Sequence, residues 1–161
     1  MNLKLIDEND PRLRQQCTPW DFTNDGDPSE IITAMTKVMI ENNGIGLAAP
    51  QVGIMKRLFI MGNSDRLFVC INPEIIESTG LIMDQEGCLS FPDLWLRAKR
   101  YESVKVRYYN ALGQENIKDF SGLIGRVFQH ERDHLDGICY DTKTAKVSLD
   151  LAYRRRKKKK K

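Results

Sequence analysis

The only two histidines of the chain, His130 and His134, are four residues apart, and Glu131 directly follows the first of them. On an α-helix, residues four apart lie on one face about one turn from each other, so both imidazoles can reach a single metal ion. The carboxylate one residue along lies beside the open position of that ion, where it can take a proton from water. The pattern H-E-x-x-H therefore predicts a hydrolytic metal site, provided that a helix surrounds it.

The flanking residues favour such a helix. Ser121 is a suitable N-cap, and Gly137 suits the left-handed position after the last turn. Between them, apolar residues recur at helical spacing: Leu123, Ile124, Val127 and Phe128.

A catalytic zinc or iron site needs a third protein ligand. Because there is no third histidine, this ligand has to be a thiolate or a carboxylate. Downstream of the motif the candidates are Asp136, Asp141 and Asp150, and upstream Cys88 lies between a glycine and a leucine. A free cysteine is commonly just a small buried apolar residue. The residue types alone therefore do not decide which of these four candidates is the third ligand.

A glycine-rich segment, residues 44–53, contains a G-x-G-x-x-A string. A dinucleotide-binding fingerprint needs a strand before it and a helix after it, whereas here a predicted helix precedes the string and Pro50 interrupts the residues after it. The segment is better interpreted as a loop with an exposed, strand-like backbone. Gln51 is its one polar side chain able to donate a hydrogen bond.

Three segments together resemble the peptide deformylases, whose motifs are G-Φ-G-Φ-A-A-x-Q, E-G-C-Φ-S and Q-H-E-x-D-H (Φ, apolar). The chain has matching residues in the same order at 44–51, 86–90 and 129–134. The likeness extends from about residue 3 to 145. The family removes the formyl group from the initiator methionine of new proteins, so the resemblance implies N-formylmethionyl nascent peptides as substrates. It also implies an Fe(II) enzyme that accepts nickel, cobalt or zinc.

The resemblance assigns roles to residues of this chain. The implied metal ligands are Cys88, His130 and His134. Glu131 is the implied general base and acid, while Gln51 and the backbone N–H of Leu89 are the implied donors to the oxyanion.

The same resemblance implies how the peptide is held. The backbone at Ile45 and Gly46, with Gly87, holds the nascent chain as an added strand. The implied walls of the methionine pocket are Ile45, Leu123 and Val127.

Two residues depart from the family pattern. Arg126 falls on the pocket side of the helix, where it narrows the pocket or lines its mouth, and Asp84 stands where the family often has an apolar residue. Neither residue is an implied metal ligand, so these departures are expected to change the shape of the methionine pocket and not the metal site.

Elsewhere, apolar periodicity predicts a helix from Ser29 to about Asn42, ended by Gly44. Predicted strands cover residues 58–61, 67–71, 75–76, 81–83 and 99–109, with a hairpin turn at 111–114. There is no internal repeat. The predicted fold is α+β, with small antiparallel or mixed sheets packed around a central metal-binding helix, in a single catalytic domain of residues 1–153.

The net charge of +3 comes from the end of the chain, where residues 154–161 are eight consecutive arginines and lysines. Without them, 17 basic residues face 22 acidic ones, a net charge of −5. We expect a disordered basic tail on a mildly acidic domain that binds neither DNA nor membranes. The chain resembles the short deformylases of bacteriophages that lack a long C-terminal helix, so the tail is expected to dock the enzyme on ribosomal RNA instead.

Composition and cysteine usage favour a cytoplasmic protein of bacterial or phage origin. The chain is 41% hydrophobic and 29% charged, and it begins with neither a signal nor a transit peptide pattern. Its four cysteines show no C-x-x-C spacing and are expected to be free thiols. We expect a monomer.

Two other functions fit parts of the pattern. A zincin-like metallopeptidase would use Asp141 or Asp150 as its third ligand. A structural zinc module could bind RNA through the basic tail, but closed structural sites use four protein ligands and would leave Glu131 without a role.

Overall fold

A computed structural model describes all 161 residues and contains three α-helices and seven β-strands. The helices are α1 (Ser29–Glu41), α2 (Gly122–Leu135) and α3 (Lys146–Lys159). The strands are β1 (Gly46–Ala48), β2 (Leu58–Gly62), β3 (Leu67–Thr79), β4 (Ile82–Cys88), β5 (Phe91–Arg100), β6 (Ser103–Tyr109) and β7 (Glu115–Ser121). None of the helices has the length and apolarity that crossing a membrane requires. The α+β class predicted from the sequence is confirmed.

Five strands form one antiparallel sheet in the order β1-β2-β3-β6-β7, and β4 and β5 form a separate antiparallel pair. Strand β2 is buried on both faces because a helix covers each side of the sheet. Leu58 and Ile60 pack into one core cluster with residues of α1, while Phe59 and Met61 pack into another with residues of α2. Helix α2, which carries the histidine motif, is therefore held against the sheet by a continuous apolar face.

The strand predictions succeed where side chains alternate cleanly. In β6, Val104, Val106 and Tyr108 are buried as predicted. The predicted strand at 99–109 is in fact interrupted after Arg100, where β5 ends. The rest of β5 was missed although Leu94, Leu96 and Ala98 are buried in alternation, because Pro92 near its start is untypical of a strand interior.

The helix ends follow local backbone geometry. Helix α1 ends at Glu41, and the left-handed residue after it is Asn43, with φ 55°, rather than the predicted Gly44. Asparagine tolerates this conformation better than most residues with a Cβ. After α2, Gly137 adopts the left-handed conformation as predicted, with φ 71°.

The basic end of the chain is helical, not disordered as the sequence suggested, because α3 continues to Lys159. Ala152 is buried against the apolar cluster that includes residues of β5. Arg156 donates to both carboxylate oxygens of Glu8, at 3.0 Å each. These contacts lie on one side of α3 and hold part of the basic run against the body, so the chain has a C-terminal helix after all.

The irregular N-terminal segment is fixed by hydrogen bonds to distant parts of the chain. The N–H of Ile6 donates to the backbone oxygen of Gln51 at 3.0 Å, and that of Cys17 donates to Leu135 at 2.9 Å. The first segment therefore supports both the glycine-rich loop and the end of α2.

Candidate metal centre

Helix α2 places both histidines on its buried side, with ring centroids 5.0 Å apart. Cys88 ends strand β4, and its Sγ lies 3.3 Å from Nε2 of His134. One donor atom from each of Cys88, His130 and His134 lies within 4.8 Å of the other two. The structure thus gathers two imidazoles and one thiol at a single point.

The downstream carboxylates are engaged elsewhere. Asp141 accepts two hydrogen bonds from Arg14, at 2.8 and 2.7 Å, and Asp136 pairs with Arg57 at 2.6 Å. Asp150 is an exposed residue of α3. Among the candidates for a third ligand, only Cys88 lies with the histidines.

The donor set fits a transition metal. A thiolate with two imidazoles suits zinc, iron, cobalt and nickel, and three protein donors leave a coordination position for a reactant. The other three cysteines are buried apart from this cluster, whereas Cys88 is partly exposed.

A buried carboxylate orients the first histidine. Oε1 of Glu86 lies 2.9 Å from Nδ1 of His130, which leaves Nε2 of that ring available to a metal. Arg100 binds Glu86 with two hydrogen bonds of 2.9 Å and Asp133 with one of 2.6 Å. Burial alone would raise the pKa of Glu86, but its contacts with His130 and Arg100 outweigh this and lower it to about 2.

The two histidines titrate differently in the metal-free site. Burial disfavours the charged form of His130, but contacts with Cys88 and Glu86 outweigh it and raise its pKa to about 10. Burial, followed by repulsion from His130 and Arg100, lowers the pKa of His134 well below its ordinary value. Because a metal binds the neutral imidazole, a metal ion would compete with the proton on His130.

Glu131 is buried immediately beside this cluster, and its Oε2 has no hydrogen-bond partner in the protein. Burial raises the pKa of Glu131 to about 7, against the opposing influence of His130 and Arg100. A methyl group on Gly46 would overlap the Glu131 carboxylate, so the glycine leaves room for this carboxylate where β1 passes it.

Two hydrogen-bond donors lie near the thiol of Cys88. The side chain of Gln51 is fixed because its Oε1 accepts from the N–H of Ala48 at 2.8 Å. Its Nε2 donates to Oγ of Ser90 at 3.0 Å and lies 3.5 Å from Sγ of Cys88. The N–H of Leu89, the residue after Cys88, donates to no other backbone carbonyl.

Strand β1 is at the edge of the large sheet, with β2 as its only strand neighbour. Just before it, Ile45 is 48% exposed, while its carbonyl accepts from Gly62 on β2. Near the end of β4, Gly87 lies under the exposed ring of Trp95, which a methyl group on Gly87 would approach to 2.9 Å. Ile45 is therefore exposed at the edge of the sheet, whereas the Trp95 ring covers one side of Gly87.

The predicted pocket residues of α2 differ in exposure. Leu123 is 57% exposed, whereas Val127 is buried in the core cluster that contains Phe128. Arg126 forms an ion pair with Asp84. The two departures from the family pattern are thus partners in space.

Sequence reasoning missed the residues that support the donors. Glu86 and Asp133 lie inside two of the recognised motifs, so their carboxylates could have been identified from the sequence as groups that support the metal ligands. Ser90 also lies in a motif. Arg100 lies in none, and no local pattern indicates that its side chain joins both carboxylates.

A buried helical H-E-x-x-H sequence with a further donor from a neighbouring strand defines a class, the metal-dependent hydrolases. The family model for polypeptide deformylase matches residues 2–148. The chain belongs to the polypeptide deformylase family.

Relatives agree with this in sequence and in structure. Peptide deformylase 1 of Clostridium perfringens is 41% identical over 143 residues, which are 86% of this chain and 94% of that protein. The crystal structure of a peptide deformylase from Legionella pneumophila matches with a TM-score of 0.90 and 32% identity, covering 99% of this chain and 96% of that one. A Met-Ala-Ser-bound deformylase from Acinetobacter baumannii matches with a TM-score of 0.83 and 33% identity, covering 89% of this chain and 98% of that one.

The chain is therefore a metal-dependent hydrolase that removes the N-formyl group from nascent polypeptides. A zincin-like peptidase and a structural zinc module are both excluded as its primary function.

Proposed function

We propose that Cys88, His130 and His134 hold the catalytic metal and that Glu131 moves the proton in deformylation. The observation that carries this assignment is the convergence of three donor atoms within 4.8 Å beside a buried carboxylate with a free oxygen. The Glu86 carboxylate supports it, because its contact with Nδ1 of His130 leaves Nε2 as the nitrogen that would bind a metal.

The bound metal supplies Lewis acidity, which acidifies a water molecule and polarises the formyl carbonyl. Glu131 takes the proton of the attacking water and passes it to the leaving amine, so that formate and a free N-terminus result. Gln51 and the N–H of Leu89 donate to the oxygen on which negative charge develops. One such donor typically supplies roughly 3 kcal/mol. The hydrogen bond from Ala48 keeps the Gln51 amide in one orientation.

The test is formate release from formyl-Met-Ala-Ser by anaerobically purified protein, with metal analysis of the same sample. Glu131→Gln is the matched variant, because it keeps the size of the side chain but cannot accept the proton. We expect near wild-type metal content and a fall in kcat of at least about 10²-fold. Metal loss that parallels the activity loss would show instead that Glu131 holds the site together.

The peptide is proposed to bind as an added strand along β1, with backbone contacts at Ile45, Gly46 and Gly87. The free edge of β1 supports this, as does the complex of the Acinetobacter relative with Met-Ala-Ser. Ile45 and Leu123 are proposed as exposed apolar walls for the methionine side chain, with Val127 behind them. N-methylation of the second peptide bond of the substrate should raise KM, since it removes a backbone donor.

The proposed native metal is Fe(II), with zinc, nickel or cobalt as substitutes. The donor set includes a thiolate, which all four metals accept. Metal analysis after anaerobic purification from cells grown without metal supplementation tests the identity, and zinc as the sole metal would contradict it.

We also propose that the basic end of α3 docks the enzyme on the ribosome. Arg156 faces Glu8, but the other seven cations of the run are exposed on the helix and its end. Cations attract RNA phosphates without a folded interface, with an affinity that falls steeply with salt. Replacing residues 157–161 by glutamines should weaken ribosome binding at low salt while activity on free peptides persists. Equal binding by both proteins would contradict the proposal.

The proposal also includes the oligomeric state and the cellular location of the protein. A monomer that acts in the cytoplasm fits a chain whose substrate is a nascent polypeptide. Sedimentation at micromolar concentration tests the oligomeric state.

A further inference from the structure

Three alternate residues of β4, whose side chains lie on one face of the strand, contact three side chains of α2. In order along both elements, the pairs are Asp84 with Arg126, Glu86 with His130, and Cys88 with His134. The second and third pairs belong to the metal centre. The first pair uses the two residues that depart from the family pattern.

The pairs recur because the two elements advance in step. Alternate residues of a strand are about 6.6–6.8 Å apart along its axis. Residues four apart on a helix are separated by about 6 Å, one turn and a little more. Strand and helix therefore run side by side in the same direction, and Arg126 lies about one turn before His130 on the helix.

The outermost pair is asymmetric in exposure. The Arg126 side chain is 15% exposed, whereas that of Asp84 is 54% exposed. A largely buried guanidinium needs its partner, because burial of an unpaired charge is costly. The Arg126 end of the pair is thus buried on the helix, and the Asp84 end is open to solvent on the strand.

We propose that the Asp84–Arg126 pair determines substrate specificity by setting the separation of β4 from α2 at the place where the first side chain of the substrate enters. This inference rests on the proposed function, in which the formyl group lies at Glu131 and the first side chain extends toward Leu123. Leu123 lies three residues before Arg126 on α2 and is exposed. The aliphatic stem of Arg126 supplies an apolar wall, and its charged end closes the cleft to wide side chains. A narrow, unbranched side chain such as methionine fits, while an aromatic one is excluded.

The test compares formyl-Met-Ala-Ser with formyl-Phe-Ala-Ser in wild type, Arg126→Leu, Asp84→Leu and the double variant. Opening the cleft should lower the ratio of kcat/KM for methionine over phenylalanine by roughly tenfold in each single variant, the scale expected when pocket contacts change. Because the two residues act as one pair, the double variant should lose no more selectivity than either single one. The charge-swapped variant, Asp84→Arg with Arg126→Asp, should recover part of the ratio.

Arg107→Leu is the matched control. Arg107 pairs with Glu74 and Glu115 on the two neighbouring strands of the large sheet, so its loss also removes ion pairs of a strand but should leave the selectivity ratio unchanged. An unchanged ratio in both single variants overturns the inference, as does multiplication of the two losses in the double variant.

Failure of the proposed function has a different signature. It would appear as wild-type protein that releases no formate from either peptide. The role of the pair is then measured from the affinities of the same proteins for Met-Ala-Ser and Phe-Ala-Ser by calorimetry. If the variants show the same preference for Met-Ala-Ser over Phe-Ala-Ser as the wild type, the proposed role of the Asp84–Arg126 pair is overturned by this measurement as well.

Discussion

Gly46→Ala tests how closely β1 holds the general base. A Cβ at this position would overlap Oε1 of Glu131 and would come within 2.9 Å of its Cδ and Cγ. Ordinary contacts of this kind begin near 3.4 Å, so the carboxylate has to move by about 0.5 Å or more. Because misplacement by 1 Å can cost about 10²-fold in rate, we expect kcat for formyl-Met-Ala-Ser to fall by roughly 10- to 100-fold.

The same substitution two residues earlier is the control. A Cβ on Gly44 would meet only side-chain atoms, Cδ1 and Cγ of Leu89 and Cγ of Met39, and the Leu89 side chain can rotate without moving its backbone N–H. We expect Gly44→Ala to keep kcat within about threefold of wild type, because no reacting group is displaced. Metal content should be normal in both variants, and KM should change little because the backbone donors remain. Wild-type kcat in Gly46→Ala, or loss of its metal, would refute the proposed position of Glu131.

The remaining predictions concern the donors and their support. Cys88→Ser should lose most of its bound metal, because a hydroxyl replaces thiolate poorly, whereas Asp141→Asn should retain it; the opposite result would move the third ligand downstream. Arg100→Met should lower the free energy of unfolding by about 3–5 kcal/mol, measured by urea titration, because two carboxylates are left buried without their cation. In the metal-free protein the lowered pKa of Glu86 contributes stability that is fully present above about pH 4.5 and is lost as pH falls toward 2. A lowering from 4.5 to about 2 corresponds to about 3 kcal/mol, so acid unfolding should be less steep in Glu86→Gln. Iron-loaded enzyme should lose activity in air while nickel-loaded enzyme persists, because iron and its thiolate ligand are oxidisable; equal lifetimes would contradict an Fe(II) site of this kind.

The chemistry could be predicted from the sequence wherever it depends on local spacing. His130, Glu131 and His134 belong to one helix, and helical periodicity alone places them together. The alternation of β6 was predictable for the same reason, since Val104 and Val106 need only a strand to share a face.

The features that the sequence did not reveal depend on tertiary contacts. Cys88 and the downstream aspartates could not be distinguished by residue type, because the choice depends on which of them the fold brings near α2. Arg100 joins Glu86 to Asp133 from a strand that shares no motif with either. The helical end of the chain was missed because a run of cations looks like a solvated tail unless the contact between Arg156 and Glu8 is known.

The hydrogen bonds between the N-terminal segment and distant residues determine when that segment can be fixed during synthesis of the chain. Glu8 and Arg156 are 148 positions apart, and Arg14 and Asp141 are 127 apart. At about 5–20 residues per second, the first segment waits roughly 7–30 s for its last partner to be made. Because that segment also contacts the loop of Gln51 through Ile6, this support of the loop is itself held in place by Arg156 only after α3 has been made. A helix distant from the metal donors in sequence thus contributes to the position of a proposed oxyanion donor.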